Sequence, residues 1–427
     1  MSQSMRVCVI GAGPAGMSTL YHFAQLPKMP EVVCYEKQDT WGGLWNFTWR
    51  TGVDQYGEPC HSGMYKRLLT NAPKECLEFT DYTFKEHFGK DIGTSFPSRE
   101  VVLDFMAGRW TNKAGRDLKR LINFSTVVRS VVYTEKTESF TVIVNDLKTG
   151  TISSEQFTHV VIAGGIFNQP NAPAFPGIEN FDGRVVHSHD FKDGHEFKNQ
   201  NVLLIGSSFS AEDIALHIMS SGGKSVIVSW QTNAPNHNWP NGITEKCSVR
   251  NFTGQTVQFT DGSSAAVDSI ILCTGYKTLF PFLEGRLRIE EKTSFYQRQL
   301  YKGSLFIPLA QSKLFFIGAQ EQLFTVTLID CIAAWTARFI MGLLPNESKT
   351  TKEMQNYSDH WHGRAKQLKS IPEIVAFQAS LIENLAGDTK YGMEYAQAAP
   401  LFVEWDKDRK AAIAHFRDHK FASFLSK

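Results

Sequence analysis

The sequence predicts an α/β fold built from two units of one plan. Three observations predict it. A buried-type strand, a glycine-rich turn, a helix and a second strand occur in that order from Arg6 and again from Asn201. The chain has 427 residues, where one domain takes roughly 150. Apolar residues make up 42% and charged residues 20%, the balance of a globular chain rather than a disordered one.

In the first unit, Val7-Cys8-Val9-Ile10 is the continuous apolar run of a strand covered on both faces. Gly11-Ala12-Gly13-Pro14-Ala15-Gly16 follows, then a helix over residues 17–25 and a short strand over residues 31–36. Gly11 permits the tight turn, Gly13 lets the backbone approach a pyrophosphate, and Gly16 lets the helix lie close to the strand. The free N–H groups and dipole at the helix N-terminus favour an anion. Glu36, 20 residues beyond Gly16, is placed to accept hydrogen bonds from a ribose. A glycine triplet alone is a weak signal. Strand, triplet, helix, strand and acid together predict a dinucleotide site, because an unliganded strand-to-helix turn has no use for the spaced acid.

The second unit runs through Val202-Leu203-Leu204-Ile205, Gly206-Ser207-Ser208-Phe209-Ser210-Ala211, a helix to Met219 and a strand over residues 224–230. Ser208 and Ala211 replace glycine but are small enough for close approach, so a second dinucleotide site is expected. The other reading is a decayed duplicate that keeps only the fold. An acid at the end of the next strand would favour NADH, and an arginine would grip the 2′-phosphate of NADPH. Ser229-Trp230-Gln231-Thr232 offers neither. A charge-assisted bond is worth roughly 1.5–3 kcal/mol, so its lack removes about one to two powers of ten in preference. NADPH is the expectation, with NADH left open.

Further strands are predicted over residues 140–144, 158–162, 269–273 and 314–317, and the proline-rich residues 169–176 read as a connector. The tail after Gly342 is helix-prone and carries no motif. Basic and acidic residues number 44 and 43, a net charge of +1, without the concentrated basic face that nucleic acid requires. The seven cysteines are scattered, with no Cys-x-x-Cys pair and no zinc spacing. No metal site is expected, and the thiols suit a reducing, cytoplasmic setting. A first strand starting near Arg6 leaves no room for a signal peptide. The apolar residues 328–344 include Asp330 and Arg338 and fall short of the ~20 apolar residues of a membrane span, so they read as a packed helix. Nine Trp, 12 Tyr and 31 Phe suit a buried planar cofactor.

The segment between the two turns, Phe181-Asp182-Gly183-Arg184-Val185-Val186-His187-Ser188-His189-Asp190-Phe191, fits the pattern Phe-x-Gly-x-x-x-His-x-x-x-Phe/Tyr. With Trp41-Gly42-Gly43-Leu44-Trp45-Asn46, Asn71-Ala72-Pro73-Lys74-Glu75 and Cys273-Thr274-Gly275-Tyr276, it resembles the flavin-containing monooxygenases over most of residues 6–335. Phe191 stands where the related Baeyer–Villiger enzymes usually have Trp. The length and the lack of a hydrophobic tail resemble the short soluble branch, which includes bacterial trimethylamine monooxygenases and insect N-oxygenases of plant alkaloids.

The resemblance implies two Rossmann-like dinucleotide-binding domains, with the NAD(P)H domain (169–276) inserted into an FAD domain (1–168 and 277–427, the latter with a helical C-terminal region). It implies that NADPH reduces FAD and that oxygen adds to give a C4a-hydroperoxyflavin. A tertiary amine, alkaloid-like ones included, or a sulfide then takes one oxygen atom. By resemblance the FAD contacts are Gly11, Gly13, Pro14, Ala15, Gly16, Glu36, Gly43, Leu44, Trp45, His61, Val128 and Gln320. Those to the nicotinamide cofactor are Gly206, Ser207, Ser208, Ser210, Gln231 and Thr232. Asn71 corresponds to an asparagine beside the reacting flavin edge. Expected partners are the small-molecule substrate and O2, with a homodimer or higher homo-oligomer by analogy.

Alternatives stand beside these roles. Asn71 also reads as a turn former next to Pro73, Gln320 as a capping or solvent-facing residue, and His61 as a surface histidine. The fingerprint His187 is expected to act in structure or domain linkage rather than proton transfer, and its spacing to His189, Asp190 and His195 suits no common metal site. Where relatives have Thr-Gly-His, this chain has Gly164-Gly165-Ile166, which puts the inter-domain hinge in question. Gln231 replaces a frequent Arg, and His237 stands where trimethylamine enzymes use a Tyr to hold the nicotinamide. Residues 322–326 carry fewer aromatics than in those enzymes. Cation–π contacts are worth ~0.5–2 kcal/mol each, so their loss favours a bulkier, more apolar amine. A Baeyer–Villiger enzyme and a non-catalytic flavin sensor or NADPH oxidase-like protein are the competing functions.

Overall fold

The computed structural model describes residues 4–290, 292, 294–309, 313–345, 349–391 and 395–423. It is a mixed α/β protein with two main sheets. The first has seven strands in the order Leu300–Tyr301, Leu305–Phe306, Leu314–Phe316, His159–Ile162, Arg6–Ile10, Glu31–Tyr35, Ile122–Asn123. The strands from Leu314–Phe316 to Ile122–Asn123 are parallel. The second sheet has five parallel strands in the order Ile243–Lys246, Ser225–Ser229, Asn201–Ile205, Ser269–Leu272, Arg184–His187.

The chain thus leaves the first sheet after Ile162, builds the second, and returns. The two crossings lie side by side, because Gln169–Pro170 pairs antiparallel with Tyr276–Lys277. The first two residues of the proline-rich connector are therefore a strand of this small ribbon.

Apolar runs are needed in the central strands because both faces are covered. Val7 and Val9 enter one core and Cys8 and Ile10 another. Val202 and Leu204 likewise divide from Leu203 and Ile205. The residue 140–144 run is the centre of Ser139–Asp146, the middle strand of an antiparallel sheet. Its outer strands, Thr126–Thr134 and Ile152–Phe157, were not foreseen. Ile152–Phe157 is mostly exposed and polar, so no hydrophobic alternation betrays it. The short antiparallel sheet of Val249–Thr253, Thr256–Phe259 and Ser264–Ala266 was missed as well.

The apolar residues 328–344 fall largely in the helix Thr325–Ile340, which is buried along most of its length. Asp330 on this helix is fully buried. It accepts from Arg109 Nη1 at 2.8 Å and Nη2 at 3.0 Å and from the Tyr391 hydroxyl at 2.7 Å. His22 Nε2 lies 3.0 Å away. Burial alone would raise this carboxyl, but Arg109 and His22 hold it far below the usual carboxylate range. Three helices, Pro14–Ala24, Arg99–Asn112 and Thr325–Ile340, are locked together through this one charge. No helix among the described residues is long and apolar enough to cross a membrane. The tail forms the helices Thr351–Ala365, Ile371–Thr389 and Tyr395–Ala411.

Candidate active site

The first glycine turn floors a cavity of about 520 Å³ lined by residues of the first-sheet unit. The helix starts at Pro14, three residues earlier than expected, because proline presets φ at the first helical position. Gly11 has φ +102° and donates its N–H to Tyr35 O at 2.9 Å. A Cβ on Gly16 would stand 1.8 Å from Gly11 O, and one on Gly43 2.9 Å from Gly13 Cα. Strand, helix and the Trp41-Gly42-Gly43 loop therefore meet backbone to backbone.

The helix Pro14–Ala24 has no side-chain cap and no acid in its first turn, so its leading N–H groups face the cavity without a competing anion. Glu36 is buried, and its carboxylate accepts from Ala12 N–H at 2.6 Å and Gln38 N–H at 2.8 Å. Burial pushes its pKa up in spite of these bonds. Each oxygen keeps a second lone pair for a further donor.

Gly11, Gly13, Pro14, Ala15, Glu36, Gly43, Leu44, Trp45, His61, Val128 and Gln320 all line the cavity, brought together from six separate stretches of chain. Gly16 lies just behind, against Gly11. His61 is not a free surface histidine. Burial, followed by the nearby charges of Lys37 and His189, lowers its pKa to about 4, so it is neutral at pH 7. Gln320 is neither a cap nor solvent-facing: it is 1% exposed and donates from Nε2 to Gly303 O at 2.7 Å. Its Oε1 has no partner. Gln322 also lines the cavity, and neither atom of its buried amide is hydrogen-bonded. Orphaned acceptors and donors beside an uncapped helix N-terminus fit a large polar-edged anionic ligand such as FAD.

Gln322 and Thr325, from the stretch read as an aromatic-poor substrate region, line this space, as do Phe280 and Lys37, which the sequence left without a role. Gly164, Gly165 and Ile166, read as a departure at the hinge, form part of the wall.

Asn71 is not among the lining residues of this cavity. It is exposed, and its Oδ1 accepts from Arg417 Nη2 at 3.3 Å. It borders a second space of about 10 Å³ with Phe209, Glu212, Asp213, Arg409 and Arg417. The C-terminal segment thus reaches the second glycine turn, which sequence pattern gave no hint of.

At that turn Gly206 has φ +118°, and a Cβ on it would stand 2.3 Å from Cys273 O. Ser208 caps the helix Phe209–Ser220 without a side-chain bond. Ser208, Ser210, Gln231 and Thr232 are exposed, and Ser207 is half-buried; none of them lines the large cavity. Unlike the first helix, this one carries an acid in its first turn. Glu212 accepts from Arg409 Nη1 at 2.5 Å and His237 Nε2 at 3.0 Å. Burial raises its pKa, but His237 and Arg409 outweigh that and hold it low. His237, expected beside the nicotinamide, is therefore committed to Glu212. Asp213 pairs with Arg417 at 2.6 Å and accepts from the Tyr65 hydroxyl.

The fingerprint segment ties the lobes together. His187 Nε2 donates to Gly275 O at 3.0 Å, and its Nδ1 accepts from His189 N–H at 3.1 Å. That pattern requires a neutral ring, in keeping with a pKa lowered to about 4, mainly by burial. Lys192, just beyond, is buried and donates to Ser62 O at 2.7 Å in the other lobe. Phe191 stacks on Phe197 and meets the edge of Tyr65. His195 pairs with Asp193 instead of joining the other histidines. The one group of potential metal ligands among the described residues, Glu404, Asp408 and His419, lies elsewhere.

A family model for flavin-binding monooxygenase-like proteins matches residues 4–239 and 232–385. The trimethylamine monooxygenase of Methylocella silvestris is 44% identical over 427 residues, 99% of this chain and 93% of that protein. The crystal structure of Tmm from Pelagibacter sp. superposes with a TM-score of 0.94 at 37% identity, covering 99% of this chain and 94% of the other. An S-allyl-L-cysteine S-oxygenase from Allium sativum gives a TM-score of 0.84 at 27% identity, covering 98% and 96%. The chain belongs to the flavin-binding monooxygenase-like family, and is a flavoprotein oxidoreductase that works with FAD and NADPH.

Proposed function

We propose that this protein transfers one oxygen atom from O2 to the nitrogen of a tertiary amine, with sulfides as the second substrate class. The reaction consumes NADPH, a proton, O2 and the amine and yields NADP+, water and the N-oxide. The similarity to a trimethylamine monooxygenase across 99% of the chain carries the reading. Relatives named for N- and S-oxygenation favour it over ketone oxidation.

We assign FAD to residues 1–168 with 277–427, and NADPH to an inserted domain of residues 169–276. The break between the two sheets and the ribbon at 169–170 and 276–277 support this division. Bound FAD supplies the redox chemistry, accepting a hydride from NADPH and activating oxygen. The chain's own residues bind and shield. The Gly11–Gly16 turn takes the pyrophosphate at the helix N-terminus, Glu36 the ribose hydroxyls, and Gln320 Oε1 a ring N–H. Leu44, Trp45, His61 and Val128 close the walls. Gly206, Ser207, Ser208 and Ser210 take the NADPH pyrophosphate, and Gln231 and Thr232 lie toward its ribose. Asn71 is assigned to the reacting flavin edge by resemblance, with Arg417 holding its oxygen. Seven free cysteines support a cytoplasmic setting, and a homo-oligomer is the expected assembly.

The substrate test is a panel of trimethylamine, bulkier tertiary amines, sulfides and ketones, followed by NADPH oxidation and by mass spectrometry under 18O2. Labelled N-oxides or S-oxides, with trimethylamine or a bulkier amine fastest, would establish the reading. Labelled esters would move it to Baeyer–Villiger chemistry. Peroxide alone with every compound would make the protein an oxidase-like sensor.

A further inference from the structure

We infer that Gln322 is a positioning residue for the flavin, its side-chain N–H directed at a carbonyl of the pyrimidine edge. The inference rests on the FAD reading above. Gln322 lines the cavity, and its amide nitrogen and oxygen are both shut off from solvent and without a partner. A buried amide left unpaired is costly at each atom. Flipping the amide exchanges the two atoms but satisfies neither. A ligand in this cavity would complete it.

Two neighbours say which part of the ligand lies here. Gln320 is oriented by its bond to Gly303 O, which leaves Oε1 as a fixed, unpartnered acceptor in the same cavity. The helix Thr325–Ile340 begins without a cap from its own N-cap side chain and without an acid in its first turn; Gln378 Oε1 accepts from Leu323 N–H at 2.9 Å and Phe324 N–H at 3.3 Å, and Thr325, the first helical residue, lines the cavity. Together the stretch offers one acceptor, Gln320 Oε1, with a donor from Gln322 and donors from the helix N-terminus. The imide edge of an isoalloxazine presents the complement, an N–H between two carbonyls. On two-electron reduction that edge gains negative charge, so a donor there holds the reduced flavin more tightly than the oxidised one.

The test replaces Gln322 with Met, which keeps the length and removes both polar atoms. FAD binding to apoprotein, read by flavin fluorescence, is expected to weaken about tenfold. Reduced FAD should weaken about tenfold further, a fall of about 30 mV in the two-electron midpoint potential. The apoprotein should melt no lower than wild type, because the unpaired amide is gone; a merely structural glutamine would give the opposite. Gln322→Glu, which replaces the donor by an acceptor, should lower the potential further than Met. Wild-type affinity and potential in both variants, with wild-type chain binding FAD, would overturn the inference alone. A wild-type chain that takes up no FAD would overturn the cofactor reading and this inference with it.

Discussion

The two glycine turns share one backbone plan and differ in what surrounds it. Both have a glycine at strongly positive φ whose missing Cβ lets a neighbouring strand approach, Gly11 against Ala163 and Gly206 against Cys273. Both open helices without side-chain caps. The first is sealed by a third glycine, keeps acids out of its first turn and bolts Glu36 to its own loop. The second replaces that glycine with Ala211, carries Glu212 and Asp213 near its start, and places the exposed Gln231 two residues past its next strand. The first turn is thus self-contained. The second relies on Arg409, His237 and Arg417 from distant parts of the chain to offset its acids. Backbone geometry makes an anion site, and the distribution of charge around it decides how much help it needs.

Gly16→Ala should have the largest effect. With a Cβ 1.8 Å from Gly11 O, the helix must move off the strand, and expressed protein should carry no flavin at 450 nm. The mirror change, Ala211→Gly, should cost only about 0.5–1 kcal/mol, read by chemical denaturation. Next comes Arg409→Met. Removing the partner of buried Glu212 should cost about 3–5 kcal/mol, and the double variant with Glu212→Gln should recover most of it.

Glu36→Ala tests the bolt. Losing charge-assisted bonds of roughly 1.5–3 kcal/mol should weaken FAD about 10–100-fold in equilibrium titration while NADPH affinity holds. Gln231→Arg supplies the cation that the second turn lacks and should raise NADPH over NADH preference about tenfold or more, read as the ratio of kcat/KM values.

A further expectation concerns the pH response of two histidines. His61 and His187 are held at about 4, chiefly by burial, against the ordinary 6.5. Protonation therefore opposes the folded state. The stability their neutral forms contribute is whole above pH 6.5 and is lost as pH falls toward 4. Melting temperature should decline across that window, and His187→Asn should flatten the decline. An unchanged slope would remove His187 from the account.

The candidate FAD site was more legible in the sequence than the second site, and the reason is local. Gly11, Gly13, Gly16 and Glu36 act within one stretch of strand, turn, helix and strand, where spacing along the chain fixes position in space. Roles for His61 and Gln320 came from resemblance, since a lone His or Gln reads equally well as a surface residue. Burial removed that ambiguity, with the His61 ring neutral and Gln320 at 1% exposure. The partners of Glu212 could not be read, because Arg409 lies 197 residues away.

Hydrophobic runs and glycine spacing already dictate two sheets with parallel centres, the places of the two tight turns, and the acid that faces the first. Such runs and spacings are short-range properties of the chain. Long-range packing alone brings Asn71 to Arg417 and His237 to Glu212, and leaves Gln322 facing the cavity unpaired. Such pairings depend on which distant surfaces pack together and on what burial leaves unsatisfied, and neither is written in spacing along the chain.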